Sequence, residues 1–416
     1  MERSANAEAI SHFTQALALL TMLPESSART AEELTLHLAL AVPLIATRGY
    51  ASPDVKHAYL RAQELCQHVQ ENSLHFLALR GVWNCHLVWA ELRTAHACGE
   101  ELMDLARCAP NSALLVEVHR ALGTTLLFLG ELTAARRALE QGMALYDPQQ
   151  HRALALRYGA DSGIVCCLFA GWVLWLLGYP DQARHTIDDA LTQARALAHI
   201  FTLAFALNHT ALVRMFRREG PQAQERAEAS IAFATEQRIP QWLAQGTVLR
   251  GWALAAQGRA AEGCQQICQG MAAWRATGAE LTRPWYLAQL AEAYWQAGQG
   301  QEGLTVLKEA LTLVNTTEER WWEAELHRLQ GELLLASSAE HTAEAEVCYQ
   351  HALDIARCQQ AKSLELRAAM SLSRLWQRQG KHEAAHQLLA DVYQWFTEGF
   401  DTADLREARA LLAEST

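Results

Sequence analysis

Apolar residues along this chain recur at helical spacing, followed by others three, four and seven residues later on the same helical face. Long segments rich in Ala, Leu, Glu, Gln and Arg, which are good helix formers, alternate with short breaks that contain Gly, Pro or Asp. No stretch alternates apolar and polar residues over the length of a useful strand. The pattern therefore predicts an all-α protein.

Small residues and breaks recur every forty residues, in three parallel series. The series are Gly171, Ala211, Gly251, Ala291 and Gly331; Gly178, Arg218, Gly258, Gly298 and Ser338; and Ala183, Ala223, Gly263, Gly303 and Ala343. Self-similarity at such a period is typical of helical solenoids, in which each unit packs against its neighbours. We expect a small residue of the first helix to lie where a neighbouring helix approaches closely.

The second helix of each unit carries a small residue, a bulky one four later and a small one three after that, as in Gly303, Leu307 and Ala310. This predicts a tetratricopeptide-like, right-handed superhelical solenoid of antiparallel helix pairs, with a period of about 40 in place of the usual 34 or so. We expect roughly nine to ten pairs in one domain. It would comprise an incomplete repeat (1–30), irregular repeats (31–110), regular repeats (111–336), and C-terminal repeats with a cap (337–416).

The first residues predict half of a repeat. Ala9, Phe13 and Ala16 have the spacing of a second helix whose first helix is missing. Such a half-repeat would leave an apolar face bare. We therefore expect this apolar face to be covered, either by another part of the chain or by a domain that normally precedes Met1. We favour the second interpretation.

The composition and net charge of the chain exclude some classes of protein and argue against others. Half of the residues are hydrophobic and 19% are charged, which excludes a disordered chain. With 35 Lys and Arg against 46 Asp and Glu, the net charge of -11 argues against nucleic-acid binding, which needs a basic face. The start Met1-Glu2-Arg3-Ser4 lacks a signal peptide, and ten scattered cysteines suit a reducing compartment, so we predict a cytoplasmic protein.

One uncharged run, at residues 163–179, reaches the lower length limit of a membrane span. It contains two internal glycines, ends at Pro180 and fits the repeat register. We therefore predict a buried helix here and no membrane association.

Several segments of the chain resemble the sequences of one known protein family. They are YDPQQHRALALRYGADSGIVC (146–166), LLGYPDQA (176–183), FRREGPQAQERAEA (216–229), LRGWALAAQG (249–258), AAWRATGAEL (272–281), RWWEAELHRLQGELLL (320–335) and WFTEGFDTADLREARALL (395–412). The chain resembles the C-terminal tetratricopeptide region of bacterial signalling ATPases of the AAA/STAND type, which often carry an N-terminal class III adenylate or guanylate cyclase domain. The resemblance implies that this region is a sensing or docking module attached to the ATPase or cyclase domains of a signalling protein. No G-x-x-x-x-G-K-[ST] phosphate loop is present, so the family's catalytic residues map to nothing in this sequence.

Two local motifs could bind metal. His382, Glu383 and His386 form H-E-x-x-H, the pattern of zinc hydrolases, but Ala385 also fits the small-residue position of a repeat helix. Cys264 and Cys268 lie one helical turn apart without a second pair of ligands. We interpret both as solenoid helix residues, predict no metal, cofactor or catalytic site, and keep a zinc hydrolase as a remote alternative.

The first helices of the repeats should form the concave wall of the solenoid, which is the expected binding surface. Trp and Arg are enriched in interaction hot spots, although with 13 Trp residues many must pack between helices. By repeat position, the candidates that face the groove are Trp172, Trp175, Phe205, Asn208, His209, Phe216, Gln245, Trp252, Trp285, Gln289, Glu292, Trp295, Arg328 and Arg374.

Two occupants of this groove are considered. The leading hypothesis is a non-enzymatic scaffold that binds a protein or peptide segment and relays its occupancy to an ATPase or cyclase module. The alternative is a sensor for a small ligand, held by Asn208 and His209 over a wall formed by Trp172 and Trp175.

Overall fold

The computed structural model describes residues 2–69, 71–108, 111–152 and 155–414, with side chains from residue 6 onward. The described residues form α-helices without any strand. In chain order the helices are α1 (Glu2–Leu20), α2 (Ser27–Arg48), α3 (Pro53–Cys66), α4 (Asn72–Val88), α5 (Leu92–Cys108), α6 (Ser112–Phe128), α7 (Leu132–Leu145), α8 (Pro148–His151), α9 (Ala155–Tyr158), α10 (Ser162–Leu176), α11 (Pro180–Leu197), α12 (Ile200–Phe216), α13 (Gly220–Gln237), α14 (Pro240–Ala256), α15 (Ala260–Ala276), α16 (Arg283–Gln296), α17 (Gly300–Thr317), α18 (Glu323–Ser337), α19 (Thr342–Gln359), α20 (Lys362–Arg378), α21 (His382–Tyr393) and α22 (Ala403–Glu414).

The helices form an inner and an outer layer. The inner helices, which begin each pair, are α2, α4, α6, α10, α12, α14, α16, α18 and α20; each is followed by an outer helix that packs against it. The short helices α8 and α9 lie in the connection between α7 and α10, and α22 packs on α20 and α21 after the last pair. The fold is the predicted all-α, tetratricopeptide-like solenoid.

Burial explains why the two layers differ in sequence. The inner helix α10 is buried along nearly its whole length, and its apolar sequence suits a helix packed on every side. The outer helix α17 buries only Gly303, Leu307, Ala310 and Val314, which is the predicted one-sided pattern. The apolar run at 163–179 is thus an inner-layer helix, and in the described part of the chain no helix is long and apolar enough to cross a membrane.

The periodic glycines inside the helices lie at close helix contacts, as their spacing predicts. A Cβ atom on Gly251 would lie 2.8 Å from the backbone nitrogen of Ile267 and 2.9 Å from the carbonyl oxygen of Gly263. A Cβ on Gly263 would lie 2.6 Å from the carbonyl oxygen of Gly251. Because the obstacles are backbone atoms, α14 and α15 can approach this closely only where both residues are glycine.

The first helix, α1, packs on α2, the helix that follows it. Ala9, Phe13 and Ala16 are half-buried on the face toward α2. At the end of α1 and just beyond it, Leu19 and Met22 remain exposed.

Successive turns of the superhelix are joined through the ends of the inner helices. The carbonyl oxygen of Val88, at the end of α4, accepts hydrogen bonds from the backbone N–H groups of Glu280 and Leu281, at 2.9 and 3.1 Å. The carbonyl oxygen of Phe128, at the end of α6, accepts one from the N–H of Arg320 at 2.9 Å. The donors immediately precede α16 and α18, the inner helices five pairs further along the chain.

Similar bonds occur at the next two inner helices, whose partners on α20 lie five and four pairs further along the chain. Close to the end of α10, the carbonyl oxygen of Trp175 accepts a hydrogen bond from the Ser363 hydroxyl of α20 at 2.5 Å. At the end of α12, the carbonyl oxygen of Phe216 accepts one from Arg367 Nη2 at 2.9 Å. The last carbonyls of a helix lack partners within it. Here the local turn supplies partners for several of them, and the later pairs supply partners for those of Val88, Phe128 and Phe216 and a further one for that of Trp175.

We predict that Gly251→Ala lowers the free energy of unfolding by about 1–3 kcal/mol, since the added methyl group meets backbone that cannot move aside without separating α14 from α15. Gly300→Ala is the matched control, because a Cβ there would have only Leu333 Cδ2 nearby, at 3.9 Å. Urea denaturation followed by circular dichroism measures both. Equal stability of the two variants would contradict the assigned contact.

Candidate functional site

Aromatic residues of the inner helices and of the turns before them meet in the interior of the superhelix. We call Trp172, Trp175, Phe216, Trp285, Trp321 and Trp322 the aromatic centre. The rings of Trp172 and Trp321 meet edge to face with centroids 4.8 Å apart, and Trp175 stacks on Phe216 at 4.6 Å. All six residues are buried. Edge-to-face and stacked pairs of this kind add to the stability that burial alone confers.

The residues predicted for the middle of the groove lie in this interior. These residues are Trp172, Trp175, Phe205, Asn208, His209, Gln245 and Trp285. They are buried and pack in the interior, so they do not line an open groove. Phe205 stacks on Trp242 with ring centroids 4.4 Å apart, and Asn208 Nδ2 donates to the hydroxyl of Ser230 and the carbonyl of Trp242. Their side chains thus join neighbouring repeats.

His209, which the sequence singled out with Asn208, is buried between aromatic rings. Burial lowers the pKa of this imidazole to about 4, because the interior disfavours its charged form. Its Nδ1 lies 3.1 Å from the carbonyl oxygen of Phe205, which requires the N–H on that nitrogen. The side chain is therefore a neutral member of the packed interior.

Glu319, in the turn between α17 and α18, is a carboxyl group that the sequence analysis did not select. Burial raises its pKa to about 7, even though its oxygens accept hydrogen bonds from the backbone N–H of Thr282 at 2.9 Å and from Trp321 Nε1 at 3.0 Å. Glu319 thereby links two turns that precede inner helices to the edge of the aromatic centre.

Toward the C-terminal end, the inner helices enclose an open pocket of about 770 Å³, part of it continuous with solvent. We call it the C-terminal pocket. Of the predicted groove residues it includes Phe216, Trp252, Gln289, Glu292, Trp295, Arg328 and Arg374. The lining residues that the sequence analysis did not select as site residues are Met215, Arg218, Trp322, Glu325, Leu329, Glu332, Arg367, Met370, Ser371, Asp404 and Glu407.

The lining of this pocket combines buried apolar side chains, which we call its floor, with charged side chains. Trp252, Leu329 and Met370 contribute buried apolar side chains. Trp252 also donates from Nε1 to Glu292 at 3.1 Å. Trp295 keeps 37% of its surface exposed, so a bulky aromatic group is available to a ligand. Such a combination of exposed Trp and Arg is typical of binding surfaces.

Charges of both signs alternate around the pocket. Arg328 pairs with Glu325 at 2.8 Å and with Glu332 at 3.2 Å. Arg218 reaches Asp404 at 3.1 Å and Glu407 at 2.9 Å, and so connects the end of α12 with α22. The pairs of Arg218 thus join two walls of the pocket, whereas those of Arg328 lie within the single helix α18.

The charged side chains of the pocket differ in accessibility: Arg374 and Glu407 are partly exposed, whereas Asp404 is buried and ionised. Arg374 and Glu407 lie 3.3 Å apart with about 40% of each side chain exposed. Burial opposes ionisation of Asp404, but the guanidinium groups of Arg367 and Arg218 outweigh it and lower the pKa of this carboxyl. Asp404 is therefore a permanent anion in the wall, whereas Arg374 and Glu407 are free to exchange partners.

Two of the pocket residues that the sequence did not indicate come from outside the repeat register. Asp404 and Glu407 belong to α22, which has no counterpart in the repeats. Arg218 did carry a signal, since it occupies a position that is glycine in three of the other four aligned units, and it adopts a positive φ of 58°. An arginine retained in a left-handed turn position is better explained by its side-chain contacts than by its backbone.

The candidate metal motifs remain isolated. His382 and Glu383 are exposed on α21, while Ala385 is buried as the repeat register predicts. Cys264 is buried and Cys268 is exposed. Among the residues with described positions, no group of three or more His, Cys, Asp or Glu is arranged to hold a metal ion.

The comparisons with known proteins agree with the repeat architecture. The tetratricopeptide repeat family matches residues 116–141, 164–189, 244–267 and 284–309. An uncharacterized protein of Rhizobium meliloti (strain 1021) is 26% identical over 376 residues, which is 90% of this chain. The chain spans about 36% of the length of that relative.

Among solved structures, the fold is similar to that of a Rap protein complexed with Competence and Sporulation Factor, at a TM-score of 0.64 and 12% identity, over 87% of this chain and 99% of that chain. It is also similar to NprR in complex with its cognate peptide NprX, at a TM-score of 0.53 and 10% identity, over 83% and 97% of the two chains. These similarities establish the tetratricopeptide-repeat fold.

We predict that Glu319→Gln removes a pH dependence from the stability of the protein. Between about pH 4.5 and 7 the folded state holds a proton on Glu319 that the unfolded state has released, so wild-type stability should fall as the pH rises through this window, by up to about 3 kcal/mol. The uncharged glutamine loses one acceptor, and its stability should be lower but flatter with pH.

Denaturation midpoints measured from pH 4.5 to 7.5 test this through the difference between variant and wild type. Glu318→Gln is the control, because a hydrogen bond from Arg93 lowers the pKa of that carboxyl and places its titration below the window. A constant difference between Glu319→Gln and wild type would contradict the raised pKa.

Proposed function

We propose that this chain is a non-enzymatic regulatory scaffold that binds a peptide segment of a partner protein in the C-terminal pocket. We further propose that it is the sensing or docking part of a signalling ATPase or cyclase system. The observation that carries the first proposal is the combination of an apolar floor with accessible charges of both signs.

A peptide matches this combination better than a uniformly charged or a purely apolar ligand. Its side chains can cover Trp295 and the floor, while its carboxylate and ammonium groups can pair with Arg374 and Glu407. These two side chains are already half-exposed, so exchanging partners leaves no buried charge unpaired. Arg328 is held on both sides by glutamates and keeps its geometry during the exchange.

The position of the pocket supplies a means of relaying occupancy. Its walls come from α12 on one turn of the superhelix and from α20 and α22 on the next. A ligand that contacts both walls favours one spacing between the turns, and it can shift the spacing only as far as it binds one arrangement better than another. A partner module that contacts either end of the solenoid would then receive the change.

The comparisons support this proposal at two levels. The similar Rap and NprR structures, which have the same fold, are complexed with Competence and Sporulation Factor and with the peptide NprX, respectively. The relative from Rhizobium meliloti is much longer than this chain, which suits a repeat region that operates together with other domains. The ATPase or cyclase connection depends on the resemblance of the segments quoted above.

We predict that Arg374→Ala weakens peptide binding about tenfold or more, because it removes an accessible cation that hydrogen-bonds to the ligand. Peptides retained by the protein from a random heptapeptide pool are identified by mass spectrometry, and their dissociation constants are measured by calorimetry. Arg378→Ala is the matched control, since Arg378 lies one turn further along α20, is exposed and does not line the pocket.

Two results would overturn the peptide proposal. One is a pool from which no peptide is retained above the level of an unrelated helical protein. The other is an equal loss of affinity in Arg374→Ala and Arg378→Ala, which would place the peptide elsewhere. A small compound carried through gentle purification, seen as added mass in native mass spectrometry, would instead favour the small-ligand sensor.

A further inference from the structure

A second pocket lies at the opposite end of the solenoid, and neither the sequence motifs nor the comparisons assign it a role. We call it the N-terminal pocket; it encloses about 1100 Å³, part of it open to solvent. Its lining residues come mainly from α1, α2, α4 and α9: Asn6, Ala9, Phe13, Thr35, Leu38, Ala39, Val42, Pro43, Tyr59, Leu74, Leu77, Arg80, Leu156, Arg157 and Tyr158. Ligand pockets commonly have this size and this predominance of apolar residues.

The charged side chains that line this pocket are all positive. Its charged lining residues are Arg80 and Arg157, and among the residues whose side chains the structure describes the lining contains no Asp or Glu. This contrasts with the C-terminal pocket, where both signs alternate, and with the net charge of -11 for the whole chain. A pocket with apolar walls and only positive charge is complementary to an anion with an apolar body.

Arg80 leaves hydrogen-bonding capacity unused at this pocket. It is only 2% exposed, and its Nε donates to Glu117 Oε2 at 3.2 Å. The same carboxylate oxygen accepts from Arg120 at 3.0 Å, and the other oxygen accepts from the Ser162 hydroxyl. Glu117 therefore serves two guanidinium groups, and one positive charge of the three-residue cluster is not balanced within it.

The hydrogen-bond donor that remains unused is a single nitrogen of the Arg80 guanidinium group. Arg80 Nη2 is buried and has no hydrogen-bond partner among the described atoms. A buried guanidinium N–H without an acceptor is costly, and a carboxylate oxygen is the acceptor that pairs best with it. The aromatic rings of Trp83 and Tyr158 lie 5.9 and 5.4 Å from the guanidinium carbon and restrict its movement.

We propose that the N-terminal pocket binds an amphiphilic monocarboxylate, with its carboxylate at Arg80 Nη2 and its apolar chain along α1, α2 and α4. One unbalanced positive charge calls for a monoanion. Phe13, Leu38, Val42 and Leu77 supply the apolar walls that the chain would cover. Arg157 is exposed at the pocket and adds a second attraction for the anion.

The probe for this site is decanoate, compared with decanol, which has the same chain without the charge. Isothermal titration calorimetry at pH 7.5, below the critical micelle concentration, should give one decanoate per chain. Decanol should bind at least tenfold more weakly because it leaves the charge of Arg80 unbalanced. This comparison uses the wild-type protein, so it does not depend on how any variant folds.

Ala39→Phe, which places a ring in the pocket, should weaken decanoate binding at least tenfold. Ala384→Phe, on the exposed side of α21, is the matched control and should bind decanoate as the wild type does. Arg374→Ala should also leave decanoate binding unchanged, so this site is tested separately from the proposed peptide pocket. Circular dichroism melting curves verify that the variants are folded.

The proposal is overturned if decanoate gives no saturable binding, or if decanol binds as tightly as decanoate. It is equally overturned if folded Ala39→Phe binds decanoate with wild-type affinity. Saturable binding with a decanoate preference, lost in Ala39→Phe and retained in both controls, supports it.

Discussion

The carbonyl groups at the ends of the inner helices impose the constraint on which the rest of this structure depends. The last carbonyls of any α-helix need partners from outside it. Here carbonyls of α4, α6, α10 and α12 accept hydrogen bonds from residues that belong to pairs four or five positions further along the chain. Successive turns of the solenoid must therefore lie against each other, and the spacing between them is set by hydrogen bonds.

This close winding decides what the concave surface can be. With the turns in contact, the inward aromatic side chains of the middle repeats pack on one another, and the axis of the superhelix becomes a hydrophobic core centred on Trp172 and Trp321. The two pockets described above lie toward either end of the inner layer. A solenoid with a wider pitch would expose the same tryptophans along a continuous groove.

The two pockets differ in a way that suits different ligands. The C-terminal pocket joins two turns through Arg218 and Asp404, and it offers accessible charges of both signs over an apolar floor. The N-terminal pocket is apolar with two arginines, of which Arg80 is buried and incompletely paired. If both proposals hold, one scaffold would respond to a peptide at one end and to an amphiphilic anion at the other.

The helical class, the pairing of helices and the positions of close contact could be predicted from the amino-acid sequence, because these depend on local helix preference and on packing between adjacent repeats. Gly251 and Gly263 were identifiable from their period before their carbonyl contacts were visible. The amino-acid sequence did not distinguish Trp172, which lies in the core, from Trp295, which borders a pocket. The reason is that small rotations between repeats accumulate, and contacts five pairs apart leave no periodic trace in the chain.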